Sequence, residues 1–168
     1  MDELINRVEQ SGLVQLDLSR LASAIPRADL DLAPALWQGL ALREKDYRAW
    51  LKQLDLAPFD GCAVALHCSA DATIPAWAWM LATAALSPVA HSVHGCAPQD
   101  VDGLLLLSIV DKLDLEIYRD ALVVVKGCGP HTGPAPLMRL IERLRPVVKS
   151  LMFGEPCSTV PIYKRPRS

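Results

Sequence analysis

The sequence has no strong charge of either sign, no apolar run long enough to cross a bilayer, and no CxxC pair among its five cysteines. Seventeen Lys and Arg against nineteen Asp and Glu leave a formal net charge of -2. No basic field exists to displace counterions from a nucleic-acid backbone, so nucleic acid is not an expected partner. The only basic concentration, Lys164, Arg165 and Arg167, reads as a solvated tail. The most membrane-like stretch, Ile74 to Leu86, is uncharged but spans only about 20 Å as a helix, against a hydrocarbon core of about 30 Å. With Pro75 and Pro88 at its ends, it is expected to be a buried core helix, and no membrane partner is expected. An odd number of cysteines is not a disulfide framework, and reduced thiols fit a cytosol. Met1 to Gln10 carries Asp2, Glu3 and Glu9 without an apolar leader core, which also points to a cytoplasmic protein. GxGxxG, Walker-type, GxSxG and HExxH motifs are all missing.

What is present is a compact apolar chain of 168 residues, 51% hydrophobic, without repeats or low-complexity linkers. That length argues for one domain over residues 1–168. Leu4, Ile5 and Val8 suggest a short N-terminal helix closed at Gly12, and Val14, Leu16 and Leu18 alternate as a strand. Leu30 and Leu32 hint at another strand. From Pro34 to Leu54 the apolar residues Leu36, Trp37, Leu40, Tyr47, Trp50 and Leu51 recur at helical steps. Cys62 to His67 reads as a strand buried on both faces. The helix from Ile74 follows, with Asp71 or Thr73 as its N-cap. Val89 to Val93 is a weaker strand, Val101 to Val110 a buried helix, and Leu113 to Asp120 a connecting turn of helix. Leu122 to Val125 is a second buried strand, and Leu137 to Leu144 a helix. Thr159 to Tyr163 alternates around Pro161, as an edge strand does. Strands alternating with helices imply a three-layer, Rossmann-like α/β sandwich on a mainly parallel sheet.

Ligands of such sheets collect beyond the carboxyl ends of the strands. Cys68 directly follows one buried strand, and Cys128 follows another through Lys126-Gly127. If those strands are neighbours, about 4.8 Å apart, both thiols reach a common point. Gly127 and Gly129 suit close approach of a ligand or a nest of amides. Cys157 lies in Phe153 to Pro161, a loop by its Gly and Pro content. Three thiolates converging there would bind zinc, iron, or an iron–sulfur cluster. His131, three residues after Cys128, is a candidate fourth ligand, with Cys96 behind it. Cys62, about 20 Å along the strand from Cys68, is expected to be a core residue. The plain alternative is that the cysteines are packed as small hydrophobes. A further alternative makes Cys68, ahead of a helix N-terminus, a reactive thiolate. Trp37, Trp50, Trp77 and Trp79 read as packing residues.

At Leu42–Arg48, Cys68–Asp71 with Pro75 and Trp77, Lys126–Gly129 and Lys149–Lys164, the chain resembles the domain-of-unknown-function 2480 family. The resemblance runs from Met1 to about Arg165. It implies that Cys68, Cys128 and Cys157 belong to the family pattern together with Asp71, Glu155 and Lys164, whereas Cys62, Cys96, His67 and His131 depart from it. It also implies a genomic setting near iron–sulfur assembly factors, and with it iron–sulfur assembly proteins as partners. Two functions follow as expectations. One is a metal- or cluster-binding accessory factor that uses Cys68, Cys128 and Cys157. The other is a thiol-dependent enzyme with Cys68 as nucleophile or redox centre, Asp71 or Glu155 as base, and Lys126 stabilising an anion.

Overall fold

The computed structural model describes residues 6–8, 13–127, 133–155 and 158–166. In chain order its first elements are β1 (Asn6–Val8), β2 (Leu13–Asp17), α1 (Leu18–Ser23), β3 (Arg27–Asp31), α2 (Glu44–Gln53), β4 (Ala63–His67), α3 (Ala76–Leu86) and β5 (Ser92–Gly95). Then come α4 (Val101–Lys112), β6 (Leu122–Lys126), α5 (Ala135–Leu144), β7 (Ser150–Glu155) and β8 (Ser158–Lys164). Among the described residues, four of the six strand pairings are parallel, as expected of this α/β class. The strands form two sheets, however, where alternation along the chain had suggested one: β1-β2-β6-β7-β8 and β3-β4-β5. The chain divides accordingly into two compact units, Met1–Ala24 with Asp102–Ser168, and Ile25–Val101.

In the first unit β2, β6 and β7 are parallel, with β1 and β8 antiparallel on the outside. The Val-rich β6 is covered on both faces, and Val123, Val124 and Val125 are fully buried. Leu16, Leu18, Leu140, Leu144 and Leu151 pack in the same core as Val123 and Val125. Each such side chain contributes about 1.5–3 kcal/mol relative to exposure. In the second unit the three parallel strands pack with Tyr47, Phe59, Cys62, Ala78, Ala82 and Leu86. Tyr47 is its central aromatic, stacked on Trp50 at 5.7 Å and edge-on to Trp77 at 5.8 Å, with its hydroxyl donating to Ala78 O at 3.0 Å.

Several elements differ from their sequence expectation. Asn6–Val8 is a strand rather than helix, because it pairs with the otherwise open edge of β2. Helix α2 begins only at Glu44. Trp37 and Leu40 lie in a tight turn instead, with Gln38 and Gly39 both left-handed and Leu40 N donating to Trp37 O at 3.1 Å; two successive positive φ values are incompatible with a helix. Helix α3 has Pro75 at its N-cap position with no side-chain cap, so neither Asp71 nor Thr73 serves there. Only one stripe of α3 is buried, Ala78, Ala82 and Leu86, while Met80 is 72% exposed. The strand expected at Val89 to Val93 starts three residues later, because Val89 and Ala90 still donate to Leu86 O at the helix end. Ser150–Glu155, half of it expected as loop, is β7. Among the described residues no helix is long and apolar enough to cross a membrane.

Candidate functional site

Each unit has a carboxyl edge where side chains gather. In the first unit, β2, β6 and β7 end side by side at Asp17, Lys126 and Glu155. Asp17 is the register partner of Lys126, and Val125 that of Phe153. Asp17 Oδ1 accepts from Ser19 N at 3.1 Å and Arg20 N at 3.3 Å, which turns the chain out of β2 into α1. Lys126, its side chain 26% exposed, approaches Glu155 at 3.8 Å. Gly127 has φ +69°, and a Cβ there would lie 2.1 Å from Ser19 Oγ and 2.7 Å from Asp17 Oδ1. Glycine is therefore favoured on both counts, backbone conformation and space. Asp17 and Ser19 escaped the sequence reading. Their signal was an acidic residue closing an alternating strand just before a short helix.

Cys128, His131 and Cys157 lie outside the described residues. Their flanks do not: Gly127 follows β6, and Glu155 and Ser158 are register partners across the β7–β8 turn. The adjacent parallel strands β6 and β7 thus end at Lys126 and Glu155, each two residues before its cysteine in the sequence. Lys164 is placed elsewhere. It pairs with Ser150 at the amino end of β7, about 17 Å along the strand from Glu155.

In the second unit the edge is formed by β3, β4 and β5. Cys68 follows β4 as expected, but β4 is no neighbour of β6; the two strands belong to different sheets. Its neighbours are β3 and β5. Asp31 at the end of β3 holds the segment after Cys68, accepting from Ser69 N at 2.9 Å and Ser69 Oγ at 2.5 Å, and also from Ala33 N at 2.9 Å. Burial raises the Asp31 pKa, but the Ser69 and Ala33 hydrogen bonds and the nearby His67 outweigh it and hold the carboxyl below its usual value. His67 Nε2 lies 3.1 Å from Asp29 Oδ2.

A cleft of about 450 Å³ opens here, lined by Leu66, His67, Cys68, Trp79, Gly95, Cys96 and Ala97. Cys68 and Cys96 are both half-buried in it, and both are free thiols. Cys68 Sγ donates to Ala70 O at 3.7 Å. An irregular segment separates Cys68 from α3, which starts at Ala76, so Cys68 does not adjoin that helix in sequence. Burial, and then the charge of Asp100, push the Cys96 thiol above its ordinary pKa. Cys62 is buried in the core, its sulfur 3.5 Å from Pro58 O and Asp60 O. Asp71 is exposed. Among the described residues, no three His, Cys, Asp or Glu side chains are grouped to hold a metal ion.

The sequence pattern of a family described as Protein of unknown function (DUF2480) matches residues 2–165 of the chain. No curated protein and no solved structure matches it.

Proposed function

The chain belongs to this family of unspecified activity, and from its own residues we propose that it binds a thiophilic metal ion or iron–sulfur cluster through Cys128 and Cys157 at the carboxyl edge of the five-stranded sheet. The observation that carries the reading is the adjacency of β6 and β7, parallel and in register from Leu122 with Ser150 to Val125 with Phe153. Each cysteine stands two residues after the end of one of those strands in the sequence, and neighbouring parallel strands run about 4.8 Å apart. Thiolates there would suit zinc or iron, at Zn–S distances near 2.3 Å and sulfur separations of about 4–5 Å. Lys126, two residues before Cys128 in the sequence, would offset part of the negative charge. The family resemblance adds Cys68 to the cysteine pattern, and the genomic setting that it implies suggests an accessory role in iron–sulfur assembly.

Anaerobic purification followed by metal and sulfide analysis tests this. Near-stoichiometric metal that is lost in both Cys128→Ser and Cys157→Ser but kept in Cys62→Ala is the expected result. Metal-free protein, or metal retained by both serine variants, overturns it. Cys68→Ser decides the third ligand by whether metal content falls with it.

The cleft beside Cys68 supports a second reading, a thiol-dependent enzyme. In that case Cys68 alkylates at once whether or not chelator is present, whereas a ligated thiolate is protected until chelation.

A further inference from the structure

The cleft of the second unit contains two thiols, and the metal proposal uses only one of them. Strands β4 and β5 run parallel with Leu66 beside Gly95. Carried one residue further, that register sets Cys96 beside His67 and one position short of Cys68. Neighbouring strands about 4.8 Å apart and a rise of about 3.3 Å per residue then put the two Cα atoms about 6 Å apart. A disulfide bridges about 4.4–6.8 Å. Strand alternation alone would point the two side chains to opposite faces. Both residues, however, lie beyond the last strand position, and both line the same cleft.

From this geometry we infer that Cys68 and Cys96 form an oxidisable dithiol, which a hydroperoxide converts to a disulfide across the cleft. Cys68 is the attacking sulfur. Its thiolate takes one peroxide oxygen, the O–O bond breaks, and the other oxygen leaves as water once protonated, giving a sulfenic acid. The Cys96 sulfur then attacks the Cys68 sulfur; the S–O bond breaks as the S–S bond forms, and the hydroxide leaves with the Cys96 proton as a second water. Two thiols lose two electrons and two protons, and one peroxide becomes two waters. Burial, and then the charge of Asp100, raise the Cys96 pKa, which disfavours Cys96 as the first attacking sulfur and leaves that step to Cys68. The weak contact from Cys68 Sγ to Ala70 O is given up in exchange. This pair is independent of Cys128 and Cys157, and once oxidised it withdraws Cys68 from any ligand set.

The test uses the reduced, chelator-treated full-length chain and stoichiometric hydrogen peroxide. Free thiols in the denatured chain should fall from five to three, and non-reducing peptide mapping should show one Cys68–Cys96 link that dithiothreitol reverses. Cys96→Ser should stop at a Cys68 sulfenic acid, trapped by dimedone. The double variant Cys128→Ser with Cys157→Ser should form the link unchanged, whether or not the metal proposal holds. A bond from Cys68 to Cys128 or Cys157 overturns the inference, as does oxidant-treated protein in which Cys68 and Cys96 both remain free. The wild-type map decides by itself if a variant fails to fold.

Discussion

In the five-stranded sheet, three parallel strands are flanked on both sides by antiparallel partners; in the three-stranded sheet every pairing is parallel, and among the described residues no further strand pairs with β3 or β5. The helices differ in the same sense. Helix α5 has a charged face, with Arg139 and Glu142 exposed and Leu140 and Leu144 buried, whereas α3 has no charged residue and buries two alanines and one leucine. Helix α5 thus separates a greasy face from a wet one residue by residue. The second unit relies on small side chains and close aromatic packing around Tyr47. The two sheets also end in different kinds of carboxyl edge: an ionic one with Asp17, Lys126 and Glu155, and a cleft with two thiols.

The strongest test of that contrast truncates one core leucine in each unit. Leu144→Ala and Leu86→Ala should each cost about 2–5 kcal/mol in urea denaturation, since both side chains are fully buried. Amide exchange should then show β2, β6 and β7 losing protection in the first variant and β3, β4 and β5 in the second. Equal loss from both sheets in either variant would mean that the two cores melt as one.

A smaller effect separates two glycines of nearly equal φ, Gly127 at +69° and Gly61 at +66°. Gly61 has nothing within 4 Å of an added Cβ, so Gly61→Ala should cost only the backbone strain, about 1 kcal/mol. Gly127→Ala adds the displacement of Ser19 and of the capping carboxylate of Asp17, for about 2–3 kcal/mol in all. Equal midpoints for the two variants would show that the edge at Asp17 gives way freely.

The smallest change is Tyr47→Phe. Losing the hydroxyl bond to Ala78 O should cost about 1 kcal/mol at neutral pH. Burial pushes the Tyr47 pKa up to about 12 from 10. The folded state thus holds that proton more tightly, and stability is lost as pH rises from about 10 through 12. The variant should flatten this loss. Some slope should persist from Tyr118 in the other unit, raised by burial and then by Asp114. An unchanged alkaline profile would remove Tyr47 as its source.

Local pattern made much of this legible. The uninterrupted apolar runs of β4 and β6, the periodic α5, and the edge character of β8 around Pro161 were all visible in the sequence. Strand order was not, because β2 pairs with β6 across the whole of the second unit, Leu13 beside Leu122. Nothing in the composition marks where that unit enters or leaves the chain. The loop signal of Gly154 and Pro156 hid β7, whose place is fixed by pairing with β6 and β8 rather than by its own residues. The same gap shaped the site. Cys68 was recognisable from its position after a buried strand. Its companion in the cleft, Cys96, depended on knowing that β5 lies beside β4.

One feature of β8 bears on how the chain behaves among copies of itself. This strand is the outermost of its sheet, and it exposes Val160 and Ile162, a combination that invites another strand to add on and start an aggregate. Pro161 between them has no backbone N–H to donate, and the pairing with β7 shifts register between Leu151 and Met152 opposite it. A proline and an irregularity at the centre of an edge interrupt the ladder that an incoming strand would need. The apolar border is thereby a poor template for strand addition, which disfavours the zipping together of crowded, newly made chains along it.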